Sequence, residues 1–190
     1  MERLVAIGKG ARDKKCKLHM DGALLFNAEA SSNASPAIIV RGFDTVSICL
    51  SKGLGAPVGS VLVGSKETLA EAHRWRKMFG GGMRQSGVIA AAGLYALENN
   101  VDRLHDDHKR ARRLAEAVNE IDGLSVNLDA VQSNIVFIGI EKEKTQEVIG
   151  ALSKQGVEIL GIDDSTVRAV FHLHITDEYV DKAIEAFTQI

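Results

Sequence analysis

Apolar and polar positions divide this chain into a strand-bearing front and a tail in which strands and helices alternate. Residues 2–15 place Leu4, Ile7 and Ala11 at helical spacing and predict an opening helix. Lys17-Leu18-His19-Met20-Asp21 then reads as a short strand ending on an acid. Gly22 and Ala23 permit a tight exit into the apolar stretch 24–30, and the composition of 31–36 predicts a loop. Residues 45–50 are rich in β-branched side chains and predict a strand. Ser51-Lys52-Gly53-Leu54-Gly55-Ala56-Pro57 is a glycine-punctuated loop, and 58–63 returns as a second strand.

Helical patterns dominate the middle of the chain. Residues 66–79 are charged and amphipathic, and Gly80-Gly81-Gly82 ends them. Residues 85–97 are small and apolar nearly all round, which predicts a helix buried on every side. Residues 101–121 predict a long amphipathic helix with Leu104, His108, Ala111, Leu114, Ala115 and Val118 near one face. The tail alternates strand 134–140, helix 145–155, strands 157–162 and 167–173, and helix 177–187, which opens on favourably placed acids. Such alternation predicts an α/β class. A boundary is expected near Asn99-Asn100, giving domains 1–99 and 100–190, with the long helix bridging them.

Composition narrows the setting. With 190 residues, 45% of them hydrophobic and 25% charged, the chain has the balance of a soluble globular protein of one large or two small domains. A formal net charge of -2 excludes the strongly basic surface of a nucleic-acid binder. Cys16 and Cys49 are too few for a disulfide framework and are expected to be buried free thiols. No apolar run reaches the roughly 18 residues of a membrane span. The first residues lack a signal-peptide pattern, so a reducing, cytoplasmic setting is expected.

Three residues carry candidate chemistry. Asp21 ends one strand, Lys52 follows the next, and Arg168 lies in a late strand. Ligands of α/β sheets gather at strand ends. Each residue taken alone also has a plain structural reading: a turn acid, a solvated lysine, an exposed strand arginine. Gly53-Leu54-Gly55 is not a nucleotide fingerprint, because a third glycine is missing and the lysine precedes it.

Longer motifs settle which reading to follow. His19-Met20-Asp21-Gly22-Ala23, with Asn27-Ala28 beyond it, resembles the HMDGAR-x-x-NA motif of low-specificity threonine aldolases, in the family of aromatic amino acid beta-eliminating lyases. The segment 47–60, Ser-Ile-Cys-Leu-Ser-Lys-Gly-Leu-Gly-Ala-Pro-Val-Gly-Ser, resembles that family's cofactor-lysine segment. Arg74-Trp75-Arg76-Lys77-Met78, followed by Gly80-Gly81-Gly82-Met83-Arg84-Gln85, resembles its WRK-x-x-GGGMRQ segment.

This resemblance implies an aspartate-aminotransferase (fold type I) architecture, with part of a pyridoxal-phosphate domain followed by a small C-terminal α/β domain. It implies that Lys52 forms a Schiff base with pyridoxal 5'-phosphate. It implies that Asp21 keeps the pyridine nitrogen protonated and that Arg168 binds the substrate carboxylate. Lys77 and Arg84 match basic residues near the cofactor phosphate or a neighbouring subunit. The implied reaction is cleavage of threonine or allo-threonine to glycine and an aldehyde, in a homo-oligomer. Leu24 departs from the motif, whose arginine helps hold cofactor or substrate. The resemblance also implies roughly another hundred residues ahead of the HMDG motif, on the scale of a domain. They would carry the phosphate cradle and the residue stacked on the ring. Weak or absent activity is therefore expected of the 190 residues alone, with a non-catalytic oligomerisation module as the alternative.

Overall fold

The computed structural model describes residues 2–190 and divides into two compact units, Met1–Val101 and Asp102–Ile190. The first unit opens with α1 (Glu2–Asp13) and continues through β1 (His19–Asp21), α2 (Leu25–Ser32), α3 (Pro36–Ile39), β2 (Thr45–Cys49), β3 (Ser60–Gly64), α4 (Lys66–Met78) and α5 (Gly87–Asn99). Its sheet has the order β1-β2-β3. β1 runs parallel to β2, with Asp21 opposite Ser47, and β3 returns antiparallel, with Cys49 opposite Ser60.

Side chains at the entry end hold the β1–β2 register. The Leu18 N–H donates to Asp44 Oδ2 at 2.8 Å, and His19 Nδ1 lies 2.9 Å from Thr45 Oγ1. The Leu18 N–H, helped by Lys17, keeps the Asp44 carboxyl below the ordinary carboxylate range. At the exit end the Gly22 N–H donates to the Ser47 carbonyl at 2.8 Å, adding one rung beyond the strand.

The second unit contains α6 (Leu104–Asn119), β4 (Leu124–Ser125), a 3-10 turn at Leu128–Ala130, β5 (Ile135–Ile140), α7 (Thr145–Lys154), β6 (Leu160–Gly161), β7 (Thr166–Val170) and α8 (Asp177–Thr188). Its four strands, ordered β4-β5-β7-β6, pair antiparallel throughout. Ala111, Leu114, Ala115 and Val118 of α6 pack into one core with Val136 and Ile138 of β5, Val167 of β7 and Phe187 of α8. That is the α6 face predicted from periodicity.

Several expectations are corrected. The loop expected at 31–36 narrows to 33–35 between α2 and α3, because the Ser31 and Ser32 hydroxyls bond back to the Ala28 carbonyl and these residues stay helical. On α1 the buried position is Gly8, flanked by half-buried Leu4 and Ala11, while Ile7 is exposed. The helix expected to be buried on every side, α5, buries only Gly93 and Ala96, whereas Val88 is 77% exposed and Leu94 and Tyr95 are also exposed. Apolar composition told what could be buried, not which neighbours this unit provides. Neither cysteine is buried: Cys16 is exposed in the turn after α1, and Cys49 is half-buried at the end of β2. Strand 157–162 shrinks to Leu160–Gly161.

Candidate active site

Asp21 and Lys52 emerge at the same edge of the first sheet, because β1 and β2 are parallel neighbours. Asp21 is exposed, and its Oδ1 accepts the Ala23 N–H at 3.1 Å, which fixes the carboxylate and leaves Oδ2 open. Gly22 is required beside it: a Cβ there would stand 2.8 Å from the Ser47 carbonyl oxygen and 3.0 Å from Val46 Cγ1. The Asp-Gly pair thus has a local physical reason, since only glycine lets the chain turn off β1 this close to β2.

Lys52 lies in the loop just past β2 and is exposed, while the flanking Leu50, Leu54 and Ala56 are buried. Among the described residues no carboxylate pairs with Lys52. Backbone bonds close the loop: Gly55 N–H to the Lys52 carbonyl at 2.9 Å, Ala56 N–H to the Leu50 carbonyl at 2.9 Å, and Leu50 N–H to the Gly59 carbonyl at 3.0 Å. Gly55 and Gly59 hold φ of 71° and 121°, a region that favours glycine. Beneath the loop, burial pushes the Cys49 thiol pKa up. Hydrogen bonding to Ser51 and Ser60 and the Lys52 charge outweigh burial and leave the pKa below its ordinary value.

Lys77 and Arg84 are exposed and flank the glycine run. Gly80 has φ 86°, and a Cβ on Gly82 would stand 2.7 Å from Lys77 Cδ. The three glycines therefore let the chain fold back over the last turn of α4, against the Lys77 stem. Leu24 is half-buried at the start of α2 and provides no side-chain cap.

Arg168 lies in β7, in the second unit, opposite Phe137 on one side and Leu160 on the other. Its Nε is buried and has no hydrogen-bond partner among the described residues. Arginine donors are rarely left so, and this one has the chemistry to take a planar anion.

One charged group in the second unit was missed in the sequence. Asp107 is fully buried in α6 and paired with Arg103, and its Oδ2 has no partner among the described residues. The signal was present: Asp107 shares a face with Leu104 and Ala111 and follows Arg103 by one helical turn.

A mixed sheet with an acid and a lysine at one edge in the first unit, and an antiparallel sheet with helices in the second, define an α/β protein. The chain belongs to the Beta-eliminating lyase family, which it matches over residues 1–141. It is 44% identical over 193 residues to the Arabidopsis thaliana protein named probable low-specificity L-threonine aldolase 2, covering 100% of this chain and 54% of that one. It is 42% identical over 167 residues to the low specificity L-threonine aldolase of Escherichia coli K12, covering 88% and 49%. The chain thus spans about half the length of the curated relatives it matches. Among solved structures, an aromatic amino acid beta-eliminating lyase/threonine aldolase chain from Exiguobacterium sp. 255-15 aligns with TM-score 0.83 and 21% identity, over 100% of this chain and 56% of that one. Alanine--glyoxylate aminotransferase from Nostoc sp. aligns with TM-score 0.67 and 18% identity, over 96% and 56%. The fold is the α/β architecture these proteins share. Among the described residues no helix is long and apolar enough to cross a membrane.

Proposed function

We propose that this chain carries the lysine, acid and substrate-arginine part of a pyridoxal-phosphate aldolase that cleaves L-threonine or L-allo-threonine to glycine and acetaldehyde. The observation that carries this reading is the parallel β1–β2 pair, which brings the Asp21 carboxylate and the Lys52 loop to one edge. The residues present fit the cofactor in two respects: the exposed Asp21 carboxylate is steadied by the Ala23 N–H, and among the described residues the exposed Lys52 pairs with no carboxylate. Pyridoxal phosphate, when bound, supplies a ring that takes up the electron pair released at the substrate Cα.

Each residue then has a task. Lys52 would hold the cofactor through its side-chain amine, at the position a substrate amine would later occupy. Asp21 would face the pyridine nitrogen and favour its protonated form, with the Ala23 N–H holding the carboxylate in place. Arg168 binds the substrate carboxylate through its guanidinium. Lys77 and Arg84 give positive charge to the phosphate, while Leu24 donates nothing where the motif has arginine. The relatives' names favour cleavage over a non-catalytic module.

The same reading takes the domains as 1–99 and 100–190, a cytoplasmic setting and a homo-oligomer. Support for the setting is the pair of free thiols. Support for the oligomer is the apolar surface of Trp75, Met78, Phe79, Val88, Leu94 and Tyr95, of which Phe79 is 84% exposed.

The test is glycine and acetaldehyde formation from L-threonine with added pyridoxal phosphate, compared with Lys52→Ala. Turnover that vanishes in the variant supports the proposal. Turnover that survives in it overturns the proposal, as does a chain that takes no borohydride-trapped pyridoxal phosphate on Lys52.

A further inference from the structure

The Lys52 loop is held from a distance as well as from within. Its internal bonds use the carbonyls of Leu50, Lys52 and Gly59. The Leu54 carbonyl, on a buried residue, is instead met by Asn100 Nδ2, which donates to it at 2.7 Å from 46 residues along the chain. Asn100 is the C-cap of α5. A cap asparagine commonly serves its own helix; here the backbone N–H does that, bonding the Ala96 carbonyl, and the side chain is left for the loop.

A second contact on the same helix supports the first. At Gly93 a Cβ would stand 2.9 Å from Leu50 Cδ1, so α5 lies directly against the residue that begins the loop. The helix thus grips both flanks of Lys52: Leu50 before it by close packing, Leu54 after it by a hydrogen bond. The Lys52 side chain remains exposed and able to react.

We propose that Asn100 is a positioning residue for Lys52: its amide fixes the Leu54 carbonyl, and through it the turn that presents the lysine amine. The inference rests on Lys52 being the cofactor lysine. Asn100 touches neither cofactor nor substrate in this scheme and acts only through the loop. A part-buried carbonyl that loses the Asn100 donor must find water or shift, and either outcome loosens the turn.

The experiment uses the 190-residue chain, with Asn100→Asp and Asn100→Ala. Asn100→Asp keeps the side-chain shape and removes the donor. The first readout is hydrogen exchange at the Gly55 and Ala56 amides without cofactor. Both variants should exchange about fivefold faster there, the factor one net hydrogen bond is worth, with unchanged exchange in β5 and β7. The second readout is borohydride-trapped pyridoxal phosphate on Lys52, located by peptide mapping across a pH series. The variants should show slower trapping and a shifted pH midpoint, which a purely structural role would not produce. No label on Lys52 in the unmodified chain overturns the cofactor-lysine reading. Label there with the same rate and pH midpoint in all three proteins overturns the role of Asn100. Gly55 and Ala56 amides that exchange in the unmodified chain as fast as open loop amides also overturn it, even if a variant fails to fold.

Discussion

Gly22 donates its N–H to the Ser47 carbonyl at 2.8 Å, and a Cβ on residue 22 would stand 2.8 Å from that same oxygen. Gly22→Ala should therefore push β1 away from β2 and destabilise the first unit by roughly 1–3 kcal/mol. Thermal unfolding reads this as a lowered midpoint. An unchanged midpoint would show that the strand end yields freely.

Leu24→Arg should tighten pyridoxal-phosphate binding about tenfold, since a hydrogen bond to a charged group contributes roughly 1.5–3 kcal/mol. Leu24 is only half-buried and caps nothing, so the fold should tolerate the change. Absorbance titration with cofactor decides it, and an unchanged Kd would count against a role for this position.

Arg168→Lys should raise KM for threonine at least about tenfold, because lysine cannot offer the planar fork of guanidinium. The cofactor absorbance should stay as it is. A change in cofactor spectrum with an unaltered KM would move Arg168 away from the substrate.

Asp107→Ala should cost about 1–3 kcal/mol, since it removes a buried carboxylate from its Arg103 pair and leaves a gap beneath α6. Replacing both partners with apolar residues should cost much less. Urea unfolding of the single and double variants separates the two outcomes.

Stability should fall mildly as pH drops through the histidine range. Burial depresses the His108 pKa, with His105 adding to this and Asp107 opposing it. The folded state therefore binds fewer protons than the unfolded one, so stability is present above the unfolded value near 6.5. It declines as pH falls from there toward the folded value. His108→Gln should flatten this part of the profile, measured as the unfolding midpoint between about pH 7 and pH 5.

The acids respond on a different range. Arg110 holds the Asp177 carboxyl below its ordinary value, so its contribution persists above the carboxylate range and is lost only in stronger acid.

How far the sequence could be read depends on what each element touches. The α6 face was legible because its burial follows a helical period, the strand before Lys52 because a β-branched run ends on turn residues, and the short strand at Asp21 because Gly22 follows it. Motif residues could be located by type and spacing alone. What escaped was relational. Asn100 looked like a boundary residue, since nothing local says that its amide reaches Leu54. The exposure of Val88 and Tyr95 on α5 was equally hidden, because an apolar helix says nothing of its neighbours. Ser31 and Ser32 read as a loop because serine disfavours helix interiors, yet their hydroxyls find the Ala28 carbonyl.

The closed loop around Lys52 has a consequence for ligand capture. Its backbone is already tied at Leu50, Lys52 and Gly59 before any ligand arrives. The conformational entropy of ordering that turn is lost during folding, at about 1–2 kcal/mol per residue. Capture then restricts chiefly the lysine's own rotors, about 2 kcal/mol. Affinity at this position is accordingly set by the rigidity of the empty chain, and substitutions that loosen the turn should weaken binding through entropy while leaving every visible contact to the ligand intact.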